Sequence, residues 1–102
     1  MKKIDVLCWG IEHIANNHNF SASTKCWEDE GEVCIYGGCN VPTLSDVQML
    51  CSDLGISRDY IDSSDFGIDV FIPEDWDKNA EYEPSGFEMW KRRNVKIGEI
   101  II

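Results

Sequence analysis

Five cysteines and two histidines are the side chains of this sequence that could ligate a metal or act as nucleophiles. The cysteines stand at positions 8, 26, 34, 39 and 51, and the last four are separated by seven, four and eleven residues. Structural zinc sites favour closely paired ligands, about two to four residues apart. His13 and His18 are five positions apart, a spacing that does not place both on one helical face. The spacing predicts mostly buried, reduced thiols, with no metal ligand and no catalytic residue.

A calcium-binding loop is a second candidate for chemistry. Asp75, Asp77 and Asn79 alternate in the sequence as the oxygen ligands of such a loop do. However, the sixth position is Ala80, where the loop needs glycine for its sharp turn, and the twelfth is Gly86, where it needs a bidentate glutamate. The pattern therefore predicts no specific calcium site.

Residues 47–61 resemble a helix-turn-helix. Cys51, Gly55, Ser57 and Ile61 have the small, glycine, serine and aliphatic character of that motif at its usual spacing. The second helix of the motif would be acidic, whereas a DNA-recognition helix has to be basic. If the motif forms, its composition favours a protein-binding role.

The net charge is the strongest functional signal in the sequence. The chain carries 19 acidic and 9 basic residues, a formal net charge of −10. Residues 26–90 hold 16 of the acidic residues and two basic ones, Arg58 and Lys78, a net charge of −14. Such a segment repels free nucleic acid and anionic membranes and attracts basic proteins or metal cations.

The candidate partner-binding residues are acidic residues of this segment, together with two aromatic residues that lie among them. The aromatic residues are expected to be exposed, because each has charged residues on both sides in the sequence. Aromatic rings surrounded by charge are typical of the residues that dominate binding energy in interfaces. The set comprises Glu28, Asp29, Glu30, Glu32, Asp59, Asp62, Asp65, Glu74, Asp75, Trp76, Asp77, Glu81, Tyr82 and Glu83.

The function favoured by charge and size is that of a stoichiometric inhibitor that occupies a basic site on a nuclease or another nucleic-acid-binding protein. Carboxylates can imitate the closely spaced charges of nucleic acid, and acidic phage proteins of the anti-defence, anti-CRISPR kind act in this way. The alternatives are a bacterial immunity protein against a toxic nuclease, a small metal- or ligand-binding module, and an acidic surface that serves only solubility.

No enzymatic activity, cofactor, direct nucleic-acid contact or membrane contact is expected. The N-terminus does not resemble a signal peptide, because Asp5 and Glu12 interrupt any apolar segment. No apolar run approaches the roughly 20 residues of a membrane span. The expected location is the cytoplasm.

The elements that must position these residues follow from hydrophobic periodicity. Residues 4–17 repeat apolar side chains at three- and four-residue spacing, which predicts a helix. Residues 20–27 and 33–36 are predicted to be strands of a hairpin, with 28–32 as the charged turn between them.

A second helix is predicted to begin near Asn40 and Pro42 and to end at Gly55, with Ser45 as a competing start. Residues 57–64 are predicted to form a short helix, and 68–72 a strand that Pro73 ends. Residues 87–93 are ambiguous.

Residues 95–102 suggest a final strand. The whole chain, residues 1–102, is predicted to be a single acidic α+β domain: a small antiparallel sheet packed by two main helices. A winged-helix-like arrangement is the alternative.

Overall fold

The computed structural model describes residues 1–82, and residues 83–102 lie outside the described part. The predictions for 87–93 and 95–102 therefore fall outside it. In chain order the elements are α1 (Lys3–Asn17), β1 (Ser21–Ser23), α2 (Trp27–Glu30), β2 (Glu32–Tyr36), α3 (Val41–Asp53), a 3-10 turn (Arg58–Tyr60), β3 (Ile61–Ser64) and β4 (Gly67–Phe71). The strands form one antiparallel sheet in the order β1-β2-β4-β3. This confirms the predicted α+β class.

Helix α1 forms where the periodicity predicted it, within one residue at its N-terminus. Its apolar stripe includes Val6, Leu7, Ile11 and Ile14, all of which are completely buried. The helix ends at Asn17, and the N–H of the following residue, His18, still donates to the carbonyl of Ile14. A buried stripe of this kind stabilises a helix more than the intrinsic preferences of its residues do.

Helix α3 starts at the predicted cap and not at Ser45. The side chain of Asn40 accepts a hydrogen bond of 2.9 Å from the N–H of Thr43, and Pro42 occupies the first turn, where its missing N–H costs nothing. After the helix, Gly55 has a φ of +80°, a left-handed conformation that glycine adopts without strain.

The sheet separates apolar from acidic side chains by its register. Val33 lies opposite Val70, and Ile35 lies opposite Ile68. These four residues are almost completely buried and join the core that α1 and α3 cover. Since side chains alternate between the two faces of a strand, the residues between them point away from the helices. We call that side the outer face of the sheet.

The segment between α3 and β4 differs from the prediction. The expected helix over 57–64 is wrong, because it is limited to the turn Arg58–Tyr60, which the hydroxyl of Ser57 caps. Ile61–Ser64 is a strand that pairs with β4. Serine and aspartate compete with a helix for backbone hydrogen bonds, whereas the neighbouring strand satisfies them. Within residues 1–82 the helix-turn-helix thus lacks its second helix, which removes the basis for the winged-helix alternative.

The connection between β1 and β2 also differs from the prediction. The expected strand over 20–27 is shortened to Ser21–Ser23, and the charged turn contains the one-turn helix Trp27–Glu30. Gly31, with a φ of +68°, ends that helix and leads directly into β2. The two strands pair antiparallel as expected, but a helix joins them in place of a tight turn.

Gly67 is required by the close approach of β4 to β2. A Cβ atom at this position would lie 2.0 Å from the carbonyl oxygen of Ile35. We predict that Gly67→Ala lowers the free energy of unfolding by about 1–3 kcal/mol, because the backbone of the central strand pair has to move. Urea unfolding followed by circular dichroism measures this. Phe66→Ala in the same turn is the control, since Phe66 is 84% exposed. An equal loss in both variants would contradict the explanation.

Candidate functional site

The predicted partner-binding carboxylates are at the surface, as a binding role requires. Within the described residues, ten of them are exposed and Glu32 is half-buried; Glu83 lies outside the described part. The exposed ones are Glu28, Asp29, Glu30, Asp59, Asp62, Asp65, Glu74, Asp75, Asp77 and Glu81. Exposure alone does not distinguish a binding surface from a solvated one, so their arrangement has to decide.

The outer face of the sheet brings the acidic residues of three strands together. Asp62 of β3 lies directly opposite Asp69 of β4, and Asp69 lies directly opposite Cys34 of β2. Glu32 is two residues before Cys34 and therefore shares its face. Like charges directly opposite each other in a sheet are destabilising, which makes Asp62 and Asp69 an unfavourable pair in the free protein.

The pKa values of Glu32 and Cys34 are raised by burial and by neighbouring negative charges. The pKa of Glu32 is raised by partial burial and by the carboxylates of Asp69 and Glu30. The pKa of the Cys34 thiol is raised to about 12 by burial, by its hydrogen bond to Asp69 and by the charges of Asp69 and Glu32. Burial is the largest cause of both shifts, and the neighbouring negative charges act in the same direction.

Two exposed aromatic residues lie on the same face of the sheet as Glu32, Asp62 and Asp69. Tyr36 lies opposite Gly67 and is 50% exposed, and Phe71 lies opposite Glu32 and is 43% exposed. Both belong to the outer face. The outer-face site is hereafter Glu32, Cys34, Tyr36, Asp62, Asp69 and Phe71, a set in which aromatic rings border carboxylates.

The sequence interpretation included Glu32 and Asp62 in the site but missed the other four residues. The position of Asp69 on this face could have been predicted, because Asp69 stands between Ile68 and Val70 in an alternating strand and must point away from the core. Tyr36 and Phe71 could have been placed on the same face by the same alternation. Their proximity to Asp62 depends on the strand order, which periodicity does not give.

The expectation that Trp76 and Tyr82 are exposed is wrong. Tyr82 is 7% exposed, and its hydroxyl donates a hydrogen bond to the carboxylate of Asp53 in α3. Trp76 is partly buried against the core, and its indole N–H donates to the carbonyl of Leu54 at 2.8 Å. Both side chains attach the segment after β4 to the end of α3, because residues 72–82 contain no helix or strand that could hold them.

The acidic segment after β4 is organised differently from the outer face. Glu81 forms an ion pair of 2.7 Å with the N-terminal amino group of Met1, so its charge is compensated. Asp75 and Asp77 instead line a shallow groove of about 320 Å³ together with Trp76 and Tyr60. These residues form a second acidic surface.

Metal ligands come together at a place that the cysteine spacing did not indicate. One donor atom each of Glu32, Cys34 and Asp69 lies within 4.8 Å of the others. In the described part of the chain this is the one group of three such donors, so Asp75 and Asp77 belong to none. The ligand set arises because cross-strand pairing joins residues that are distant in sequence.

His18 connects the C-terminal end of α1 to α3. Nε2 of His18, at the end of α1, lies 2.9 Å from a carboxylate oxygen of Asp46 in α3. Asp46 is 5% exposed. A hydrogen bond between the side chains of two packed helices helps to fix their relative position.

The described part of the chain contains no helix long and apolar enough to cross a membrane. In the outer-face site and in the acidic groove beside Trp76, carboxylates lie next to aromatic residues at the surface. Comparisons of the chain with protein-family models, curated proteins and solved structures gave no match.

Proposed function

We propose that the protein is a stoichiometric inhibitor whose outer-face site occupies a basic, nucleic-acid-binding surface of another protein. The observation that carries the proposal is the grouping of Asp62, Asp69 and Glu32 on one sheet face beside two exposed aromatic rings. An inhibitor of this kind acts by occupation, in the cytoplasm, and needs neither a cofactor nor a catalytic residue.

The spacing of the charges supports nucleic-acid mimicry. Neighbouring strands lie about 4.7–4.9 Å apart, and Asp62 and Asp69 are directly paired, so their two side chains start from backbones at roughly that separation. This is comparable to the charge density of a nucleic-acid backbone, about one charge per 3.4 Å along each strand. A basic cleft that binds phosphates therefore meets a similar pattern on this sheet.

Repulsion within the outer-face site favours association with a cation. The free protein holds Asp62 opposite Asp69 and raises the pKa of Glu32. Basic side chains that approach this face relieve the repulsion, while charge complementarity accelerates encounter. Tyr36 and Phe71 supply apolar area for close contact once the surfaces meet.

The proposal is tested by capture and displacement. The immobilised protein is incubated with host lysate, and bound proteins are released with duplex DNA or RNA before identification by mass spectrometry. The proposal expects a basic nuclease or another nucleic-acid-binding protein that nucleic acid displaces. A partner that nucleic acid does not displace would contradict mimicry, and a co-encoded toxic nuclease would favour the immunity-protein alternative.

Asp62→Lys separates binding from folding. The substitution places a lysine opposite Asp69, which turns a repulsive cross-strand pair into an attractive one. We predict an unchanged or slightly higher melting temperature together with an association rate that is reduced by about tenfold at low salt. Stopped-flow kinetics with the captured partner measure the rate.

Asp5→Lys is the charge-matched control. Asp5 is exposed on α1, away from the outer face, and its reversal changes the net charge by the same amount. Equal slowing by both variants would show that net charge alone drives association, and the outer face would lose its special role.

Metal binding is a second candidate function, favoured by the donors of Glu32, Cys34 and Asp69. A thiolate with two carboxylates suits zinc, with water as a fourth ligand. The thiol of Cys34, with its pKa at about 12, has to release its proton when the metal binds. Affinity should therefore increase with pH.

Cobalt, as a spectroscopic substitute for zinc, tests this second function. We predict that Co²⁺ produces a thiolate-to-metal absorption band that zinc removes and that Cys34→Ser abolishes. Cys26→Ser is the control, because Cys26 is an exposed thiol off this face. A band that survives Cys34→Ser, or the absence of any band up to high pH, would exclude the site.

A further inference from the structure

The groove beside Trp76 differs from the outer-face site in being concave. Its lining in the described residues combines the backbone turn after α3 with the start of the segment after β4, and the cavity measures about 320 Å³. The lining residues are Gly55, Ser57, Tyr60, Pro73, Asp75, Trp76 and Asp77. Two aromatic rings and two carboxylates therefore border one concave space.

The Trp76 ring is held in place before any ligand arrives. The indole N–H of Trp76 donates to the carbonyl of Leu54 at 2.8 Å, and its backbone N–H donates to the carbonyl of Pro73 at 3.1 Å. Tyr60 stands in the capped 3-10 turn on the other side and is 39% exposed. A ring that is already fixed loses little conformational entropy when a ligand stacks on it.

The carboxylates of the groove lack a cation. Asp75 and Asp77 are exposed, and neither forms an ion pair with another residue of the described part. Arg58 and Lys78 are the basic residues of the neighbouring segments, and within residues 1–82 they form no ion pair either. The charge of the groove is thus available to a cation from outside.

Arginine fits this combination better than lysine does. The planar guanidinium stacks on aromatic rings and donates paired hydrogen bonds to a carboxylate, whereas an ammonium group is a compact, strongly hydrated charge. Arginine side chains of nucleic-acid-binding proteins stack on bases and pair with phosphates. An indole beside carboxylates offers the same two kinds of contact.

We infer that the groove formed by Tyr60, Asp75, Trp76 and Asp77 binds a single arginine side chain of the partner. The inference rests on the proposed function and specifies its partner contact. The groove imitates a stacked base flanked by phosphates, while the outer-face site supplies the wider field of negative charge.

The test uses N-acetyl-arginine amide as the probe and the indole N–H resonance of Trp76 as the reporter. Its disappearance in Trp76→Phe assigns that resonance. We expect a saturable shift of this signal, with binding at least fivefold weaker for N-acetyl-lysine amide. No shift at Trp76, or equal affinity for the two probes, would overturn the inference.

Two double variants that each remove two carboxylates test whether the groove itself binds the probe. Asp75→Asn with Asp77→Asn should weaken binding of the arginine probe at least fivefold, because both carboxylates are lost. Asp59→Asn with Glu74→Gln is the control, since it removes two exposed charges of the same segments from residues that do not line the groove. Equal weakening by both double variants would show general attraction and would contradict a built site.

Binding of the arginine probe and the effect of Asp62→Lys on partner association can succeed or fail independently of each other. If the arginine probe fails to bind while Asp62→Lys still slows partner association, the inference about the groove falls and the outer-face proposal stands. If the probe binds while partner association ignores Asp62→Lys, the outer-face proposal falls and the groove remains an arginine site.

Discussion

The register between β2 and β4 is the constraint on which the rest of the structure depends. It pairs Val33 with Val70 and Ile35 with Ile68, and these residues form the sheet side of the core. A shift by one residue would turn this apolar set outward, so burial fixes the register. On the other face the same register places Asp69 next to Cys34, and the pairing of β3 with β4 adds Asp62 on the opposite side of Asp69. The arrangement of the proposed binding surface is a consequence of core packing.

The two acidic surfaces have different physical characters. On the outer face, carboxylates oppose one another across strands, and the resulting repulsion is balanced by the apolar core beneath it. In the segment after β4, Trp76 and Tyr82 attach the chain to α3 and leave Asp75 and Asp77 at the surface. Aromatic residues that the sequence interpretation assigned to a partner thus hold part of the site in position. Their removal would alter the fold as well as any interface.

Local patterns were sufficient for part of this account. Helix α1, the cap of α3 by Asn40 and the alternation of β4 follow from residues that are close in sequence. The strand Ile61–Ser64 could not be predicted in this way, because its conformation depends on hydrogen bonds to β4. Cys34 and Asp69 became neighbours through pairing between distant segments. The density of acidic residues along the chain drew attention to the segment after β4, whereas cross-strand pairing brings Glu32, Asp62 and Asp69 together on the sheet.

The most direct measurement of the central idea is the carboxyl titration of Glu32 by NMR, in the free protein and with an oligoarginine peptide. Burial, together with the nearby charges of Asp69 and Glu30, places the pKa of Glu32 above its usual range in the free protein. It should fall when the peptide binds, because added positive charge favours the carboxylate. An ordinary pKa in the free protein, or a raised pKa that the peptide leaves unchanged, would contradict the assignment of this face as the binding surface.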